Sequence, residues 1–125
     1  MKILLFALLL YPSMQVYTYD LQAITKAIGA GDAKTLGSYF DAELTVSLPE
    51  KEGIYAREEA IPLVAGFFAA HPPQGFVQVH EGASKEGNAR YCIGDLKTAS
   101  GNYRVYLYMK VTGDKTLIQE LRFDP

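Results

Sequence analysis

The chain has 125 residues, of which 49% are hydrophobic and 21% are charged, and its formal net charge is −2. This length and composition are typical of one compact domain and leave no room for a second. Because the sequence has neither a basic stripe nor an acidic tail, it does not favour nucleic acid as a partner. The only cysteine, Cys92, cannot form an intramolecular disulfide, so the core alone must hold the domain together.

The N-terminus has the layout of a secretory signal peptide. Lys2 supplies a positive charge, residues 3–11 form an unbroken apolar run, and Pro12 ends it. A permanent membrane anchor is not expected, because a spanning helix needs about 20 apolar residues. The alternative is a buried N-terminal helix, although the run shows no amphipathic period. The sequence therefore predicts a signal peptide over residues 1–18, a mature domain over 19–125, and an exported protein, periplasmic or secreted.

The first half of the mature domain predicts two helices and a strand. Asp20 is typical of a helix start, and that helix ends near Gly29. Asp32 then predicts a second short helix over residues 33–40. Apolar residues alternate over residues 44–48, which indicates a half-buried strand.

The second half predicts one longer helix and a meander of strands. Residues 50–56 are predicted to be a polar loop, and a helix begins at Arg57 and ends at His71. Four strands follow, over residues 76–82, 89–98, 103–112 and 116–123. The predicted fold class is α+β: helix, helix, strand, helix, then a four-stranded antiparallel curved sheet with the helices on its concave face.

The hydrophobic pattern also predicts which side chains share a face of the sheet. A two-residue loop at Gly113 would mix apolar and polar residues, whereas a three-residue loop over residues 113–115 keeps them apart. The second face is then rich in tyrosine and arginine, a composition typical of a protein–protein interface. The alternative is a solvated face whose tyrosines pair across strands. We predict a homodimer interface formed by Tyr91, Ile93, Arg104, Tyr106, Tyr108, Ile118 and Arg122.

On the apolar face the same register places His80, Cys92, Met109 and Gln119 in one row. A histidine beside a cysteine can activate the thiol as a nucleophile. A second interpretation is a buried, inert cysteine, and a third is a pocket in which His80, Gln119 and Tyr39 orient a small ligand. The row with Tyr39 is the predicted ligand-binding site.

Two stretches resemble the nuclear transport factor 2-like superfamily: "GDAKTLGSYFDAELTVSLP" from Gly31, and "GIYAREEAIPLVAGFF" from Gly53. The resemblance covers about residues 19–125 and implies a cone-shaped α+β domain, a pocket between helices and sheet, and frequent dimers through the opposite sheet face. Ketosteroid isomerases of this superfamily carry a general-base aspartate and an oxyanion-hole tyrosine at positions that correspond to Leu48 and Ile24 here. Neither leucine nor isoleucine can perform those roles.

More narrowly, "HEGASKEG", "YCIGDL" and "YRVYLYMK" are similar to a group of small exported bacterial proteins with no assigned function. The sequence favours a non-catalytic, dimeric domain that binds a small apolar or amphipathic molecule in the cone. Two alternatives stay open: an enzyme of the ketosteroid-isomerase or dehydratase type that uses His80, and a pure protein-interaction domain with a filled cone. No metal site or cofactor is predicted, because two histidines and one cysteine lack zinc-ligand spacing. His71 is interpreted as a residue that complements the helix dipole.

Overall fold

The computed structural model describes residues 20–125, so the predicted signal peptide lies outside the described residues. The described residues form three helices and six strands. In chain order these are α1 (Leu21–Ala30), α2 (Ala33–Gly37), β1 (Phe40–Leu48), β2 (Lys51–Ala56), α3 (Arg57–Ala70), β3 (Pro73–Ala83), β4 (Ala89–Thr98), β5 (Gly101–Thr112) and β6 (Lys115–Asp124). Within this range, no helix combines the length and apolar character needed to cross a membrane.

The strands form one sheet in the order β2-β1-β6-β5-β4-β3. Strand β1 pairs in parallel with β6, and every other neighbouring pair is antiparallel. Helix α1 packs on β3 and β4, and α3 packs on β1 and β2. The predicted α+β class is confirmed, but the sheet has six strands and not four, because β1 and β2 extend it beyond β6.

The predicted loop over residues 50–56 is wrong, because Lys51–Ala56 is the edge strand β2. Its side chains give no apolar alternation: Lys51 and Glu52 are exposed, and Ile54 is 74% exposed. Charged residues at the edge of a sheet are common because they discourage further strand pairing. The pattern that marks a half-buried strand is therefore missing from β2.

The second helix is shorter than predicted. Asp32 begins it as expected, since the Thr35 backbone N–H and hydroxyl both donate to its carboxylate, at 3.0 and 2.6 Å, and these hydrogen bonds lower the Asp32 pKa. The helix ends at Gly37 and not at Phe40, which is the first residue of β1. A Cβ atom at Gly37 would lie only 2.4 Å from Ile61 of α3, so the glycine lets the two helices approach closely.

The core lies between the helices and one face of the sheet. Its members come from all three helices and from β1, β4, β5 and β6. The largest side chains with less than 2% exposure are Phe40, Phe123, Ile24, Ile28, Leu36, Leu44, Leu96, Leu107, Met109, Ile118, Leu121 and Val46. These side chains form the packed layer between the helices and the sheet.

Candidate functional site

The predicted row of His80, Cys92, Met109 and Gln119 depends on the register of β3 with β4. The pairing begins as predicted, with Gln78 opposite Gly94. The register then shifts between Gln78 and His80, so that His80 pairs with Ile93 and Glu81 pairs with Cys92. A β-bulge adds one residue to a strand and so reverses the faces of the residues that follow. His80 is therefore on the opposite face of the sheet from Cys92, and the predicted row is wrong.

A second bulge displaces Gln119. Tyr108 pairs with Glu120 as predicted, but Met109 pairs with Ile118, so Gln119 is the extra residue. The turn before it has two residues, since Thr112 pairs with Lys115, and the predicted three-residue turn is wrong. From Glu120 onward, the bulge gives the same pairing with β5 that the longer turn was expected to give.

Gln119 and Ile118 consequently differ from their predicted places. The Gln119 amide donates a hydrogen bond to the Asp41 carboxylate at 3.2 Å, outside the predicted row. Ile118 is 0% exposed and belongs to the core, so its assignment to the outer face is wrong. Tyr39 is half-buried against the core, where its carbonyl accepts a hydrogen bond from the Ile118 N–H at 2.7 Å.

Cys92 and Met109 face the core, as predicted, with 1% and 0% exposure. Cys92 lies opposite Leu107 and not opposite Met109, because Thr98 pairs with Gly101 and the turn between β4 and β5 consists of Ala99 and Ser100. Burial, and secondarily the charge of Glu81, raise the pKa of the Cys92 thiol to about 11. Only the thiolate is a nucleophile, so this cysteine is protonated and inert at neutral pH. Nowhere in residues 20–125 do three metal-ligating side chains cluster into a candidate metal site.

The outward-facing side of β4, β5 and β6 carries the other predicted site. We define the outer face as Tyr91, Ile93, Asp95, Arg104, Tyr106, Tyr108, Glu120 and Arg122. The cross-strand pairs alternate aromatic and charged partners: Tyr91 lies opposite Tyr108, and Asp95 lies opposite Arg104. With the exception of Ile118, every residue of the predicted interface lies on this face.

The three outer-face tyrosines are among the exposed large hydrophobic residues of the described chain. Tyr91, Tyr106 and Tyr108 are 38%, 37% and 43% exposed. The Tyr91 ring lies over Gly82, where a Cβ atom would be 2.2 Å from it, and its hydroxyl lies 3.2 Å from His80 Nε2. The glycine and the histidine thus hold this ring against the sheet.

Ion pairs bracket the aromatic residues. Arg104 Nε lies 2.7 Å from Asp95, and Arg122 lies 3.4 Å from Glu120 and 6.0 Å from the centre of the Tyr106 ring. Between the rings is a shallow depression of about 200 Å³. The outer face is therefore an exposed aromatic surface on which acidic and basic side chains lie side by side.

Comparison with known families identifies the group to which this architecture belongs. A family model described as "Domain of unknown function (DUF4783)" matches residues 21–124. The chain belongs to this family. Crystal structures of DUF4783 family proteins from Bacteroides uniformis and Bacteroides fragilis are 25% and 26% identical, with TM-scores of 0.76 and 0.74. Each match covers 82% of this chain and 94% of that chain.

The DUF4783 domain has the NTF2-like fold, as its sequence resemblance implied. An NTF-2 like protein of unknown function from Burkholderia xenovorans matches with a TM-score of 0.62, covering 87% of this chain and 84% of that chain. At 19% identity this similarity shows the fold alone. No curated protein matches the sequence.

The positions that correspond to ketosteroid-isomerase catalytic residues carry no catalytic group in this DUF4783 domain. Leu48 is half-buried at the end of β1, and Ile24 is 0% exposed within α1. Both side chains are aliphatic, so the fold is shared without that acid–base pair.

Proposed function

We propose that this domain is a non-catalytic interaction domain that pairs with a second copy of itself through the outer face. The observation that carries the proposal is the cluster of three tyrosines with more than one third of their surface exposed. Large aromatic side chains and arginine are enriched at interfaces, and an exposed patch of this kind is unusual in a monomer.

The charges of the outer face favour a second copy over a strongly charged partner. Its acidic and basic residues form ion pairs within the face, Arg104 with Asp95 and Arg122 with Glu120. A two-fold interface brings the same patch together from both subunits. If all charges of the patch had the same sign, two copies would repel each other. Because this patch carries both signs, its residues can form ion pairs with the second copy across the axis.

The buried side chains between the helices and the sheet support an interaction domain over ligand binding in the cone. Phe40 and Phe123 are 0% exposed and occupy the space between helices and sheet. The side chains expected to orient a ligand there do not converge: His80 lies on the outer side of the sheet, and Gln119 binds Asp41. The protonated Cys92 thiol likewise gives no support to a cysteine nucleophile.

The double substitution Tyr106→Glu and Tyr108→Glu tests the interface. It removes two aromatic contacts and places four negative charges near the two-fold axis, so we expect the dimer dissociation constant to rise at least about 100-fold, or ~2.7 kcal/mol. Sedimentation equilibrium at several protein concentrations, together with size-exclusion chromatography and light scattering, measures this shift.

The matched control is Gln22→Glu with Thr25→Glu on α1, which adds the same charge on the helical side. This variant should remain dimeric. A wild-type protein that stays monomeric at the highest concentration would refute the interface, and so would equal dissociation of the control variant.

We further propose that the domain acts after export. The proposal rests on Lys2 followed by the apolar run of residues 3–11, a pattern that export machinery recognises. N-terminal sequencing of the protein from its native host should give a first residue near Tyr19. A mature chain that still begins at Met1 would contradict export by signal-peptide cleavage.

A further inference from the structure

A second depression, of about 280 Å³, lies where the end of α3 meets the turn between β1 and β2. It is distinct from the outer face and is lined by both apolar and charged residues. Its apolar lining includes Leu48, Phe67 and Ala70, and its polar lining consists of Glu50, Lys51 and His71. The volume is near the lower end for ligand pockets and suits one small molecule.

His71 is held at this depression by a buried hydroxyl. The Tyr103 hydroxyl lies 3.2 Å from His71 Nδ1, and Tyr103 is only 8% exposed. Ser100 Oγ also lies within hydrogen-bond distance of Nδ1. The imidazole packs between two rings, with centroid distances of 4.9 Å to Phe67 and 5.1 Å to Tyr103. Its orientation is therefore fixed from several sides.

The two hydrogen-bond partners that the structure records for the His71 imidazole, the Tyr103 and Ser100 hydroxyls, both lie at Nδ1. When the Tyr103 O–H donates to Nδ1, the proton of the neutral imidazole resides on Nε2. A hydrogen bond at one ring nitrogen commonly determines whether the other nitrogen carries the proton that a ligand meets. Nε2–H is then a donor for an acceptor oxygen.

The turn that carries Ser100 is itself anchored to the end of α3. The Ala99 N–H donates to the Pro72 carbonyl at 3.1 Å, and the Thr98 hydroxyl donates to the Gly101 carbonyl at 2.6 Å. Thr98 is 5% exposed. The support of the histidine is therefore part of the folded domain and not a free surface loop.

Charges of both signs stand around the depression. Lys51 supplies an ammonium group, which lies 5.8 Å from the Tyr55 ring centre, and Glu50 supplies a carboxylate. Helix α3 ends beside them with no basic residue in its last turn. The carbonyl end of a helix carries partial negative charge and favours a cation.

We infer that this depression binds a small zwitterion with an apolar body, namely an apolar α-amino acid. Its carboxylate accepts from His71 Nε2–H and pairs with Lys51, while its ammonium pairs with Glu50 and the last carbonyls of α3. Its side chain packs against Leu48 and Phe67. A ligand with only one charge would offer no opposite charge to either Glu50 or Lys51.

The test uses phenylalanine and two analogues that each lack one charge, hydrocinnamate and phenethylamine. We expect phenylalanine to bind saturably, with changes in the ¹⁵N shift of His71 Nε2, and each analogue to bind at least about tenfold more weakly. Calorimetric titration of the whole protein supplies the dissociation constants.

Two surface variants separate the contributions of the charges without disturbing the core. Glu50→Gln should weaken phenylalanine binding at least about fivefold and leave hydrocinnamate unchanged, whereas Lys51→Met should weaken both carboxylates and leave phenethylamine unchanged. Lys110→Met, on the exposed side of β5, is the control and should bind as wild type. Absence of saturable binding, equal affinity for an analogue, or insensitivity to both variants overturns the proposal.

Discussion

Phe123→Ala is expected to lower the free energy of unfolding by about 3–5 kcal/mol, because it deletes a whole buried ring. Phe123 is 0% exposed in β6, and its ring centre lies 4.5 Å from that of Phe67 and 5.8 Å from that of Phe68. Within the sheet, Phe123 pairs with Val105 of β5. Since helix rings on one side and the paired strand on the other surround Phe123, we expect the cavity to close only in part. Urea denaturation, followed by circular dichroism, measures the loss.

The control for Phe123 is Ile54→Ala, which also deletes apolar side-chain atoms but at a position that is 74% exposed on the edge strand. We expect its free energy of unfolding to stay within about 0.5 kcal/mol of wild type. Similar losses for the two variants would contradict the assignment of the core to the space between α3 and the sheet.

Gly94→Ala is expected to lower the free energy of unfolding by about 1–3 kcal/mol, because the added methyl group overpacks the core. Gly94 lies in β4 beneath the Phe76 ring, and a Cβ atom there would lie 2.1 Å from Phe76 Cζ and 2.8 Å from the Val77 carbonyl oxygen. Helix α1 also lies close to this residue, since a Cβ atom at Gly29 would be 3.3 Å from both Phe76 Cβ and the Phe76 backbone nitrogen. Movement of the side chain alone would still leave the backbone contact too short.

Gly75→Ala is the matched control, since a Cβ atom at Gly75 would meet nothing within 4 Å. It should change the free energy of unfolding by less than about 0.5 kcal/mol. In a double-mutant cycle, Phe76→Leu should recover part of the cost of Gly94→Ala, since the two residues are in contact. A Gly94→Ala protein as stable as wild type would contradict the close packing of Phe76 on Gly94.

The parts of the fold that sequence reasoning predicted are those with one buried and one exposed face. Strand β5 alternates without interruption, with Val105 and Leu107 buried and Tyr106 and Tyr108 exposed, so its two faces could be assigned from the pattern. Strand β2 has no such alternation, because it is an edge strand whose Ile54 faces solvent. Periodicity detects burial on one side, and a strand without that burial gives no signal.

The candidate site was harder to predict because bulges change the face of a side chain without changing the sequence pattern. The shift before His80 and the extra residue Gln119 each reverse the register within a strand that otherwise follows its predicted pairing. Neither position carries the glycine that often marks a bulge. The role of His71 also required the fold, because Tyr103 and Ser100 reach it only after the β4–β5 turn packs on the end of α3.

The parallel pairing of β1 with β6 has a consequence for how the chain is made. Strand β1 leaves the ribosome early, yet one of its two partners is the last strand, and Val46 pairs with Leu121. Until residues 115–124 have been synthesised, the β1–β2 hairpin and the β3–β5 meander have no strand between them. Such distant pairings form late and slowly. The domain therefore completes its sheet only after β6 has emerged from the ribosome, and until then β1 has an unpaired edge.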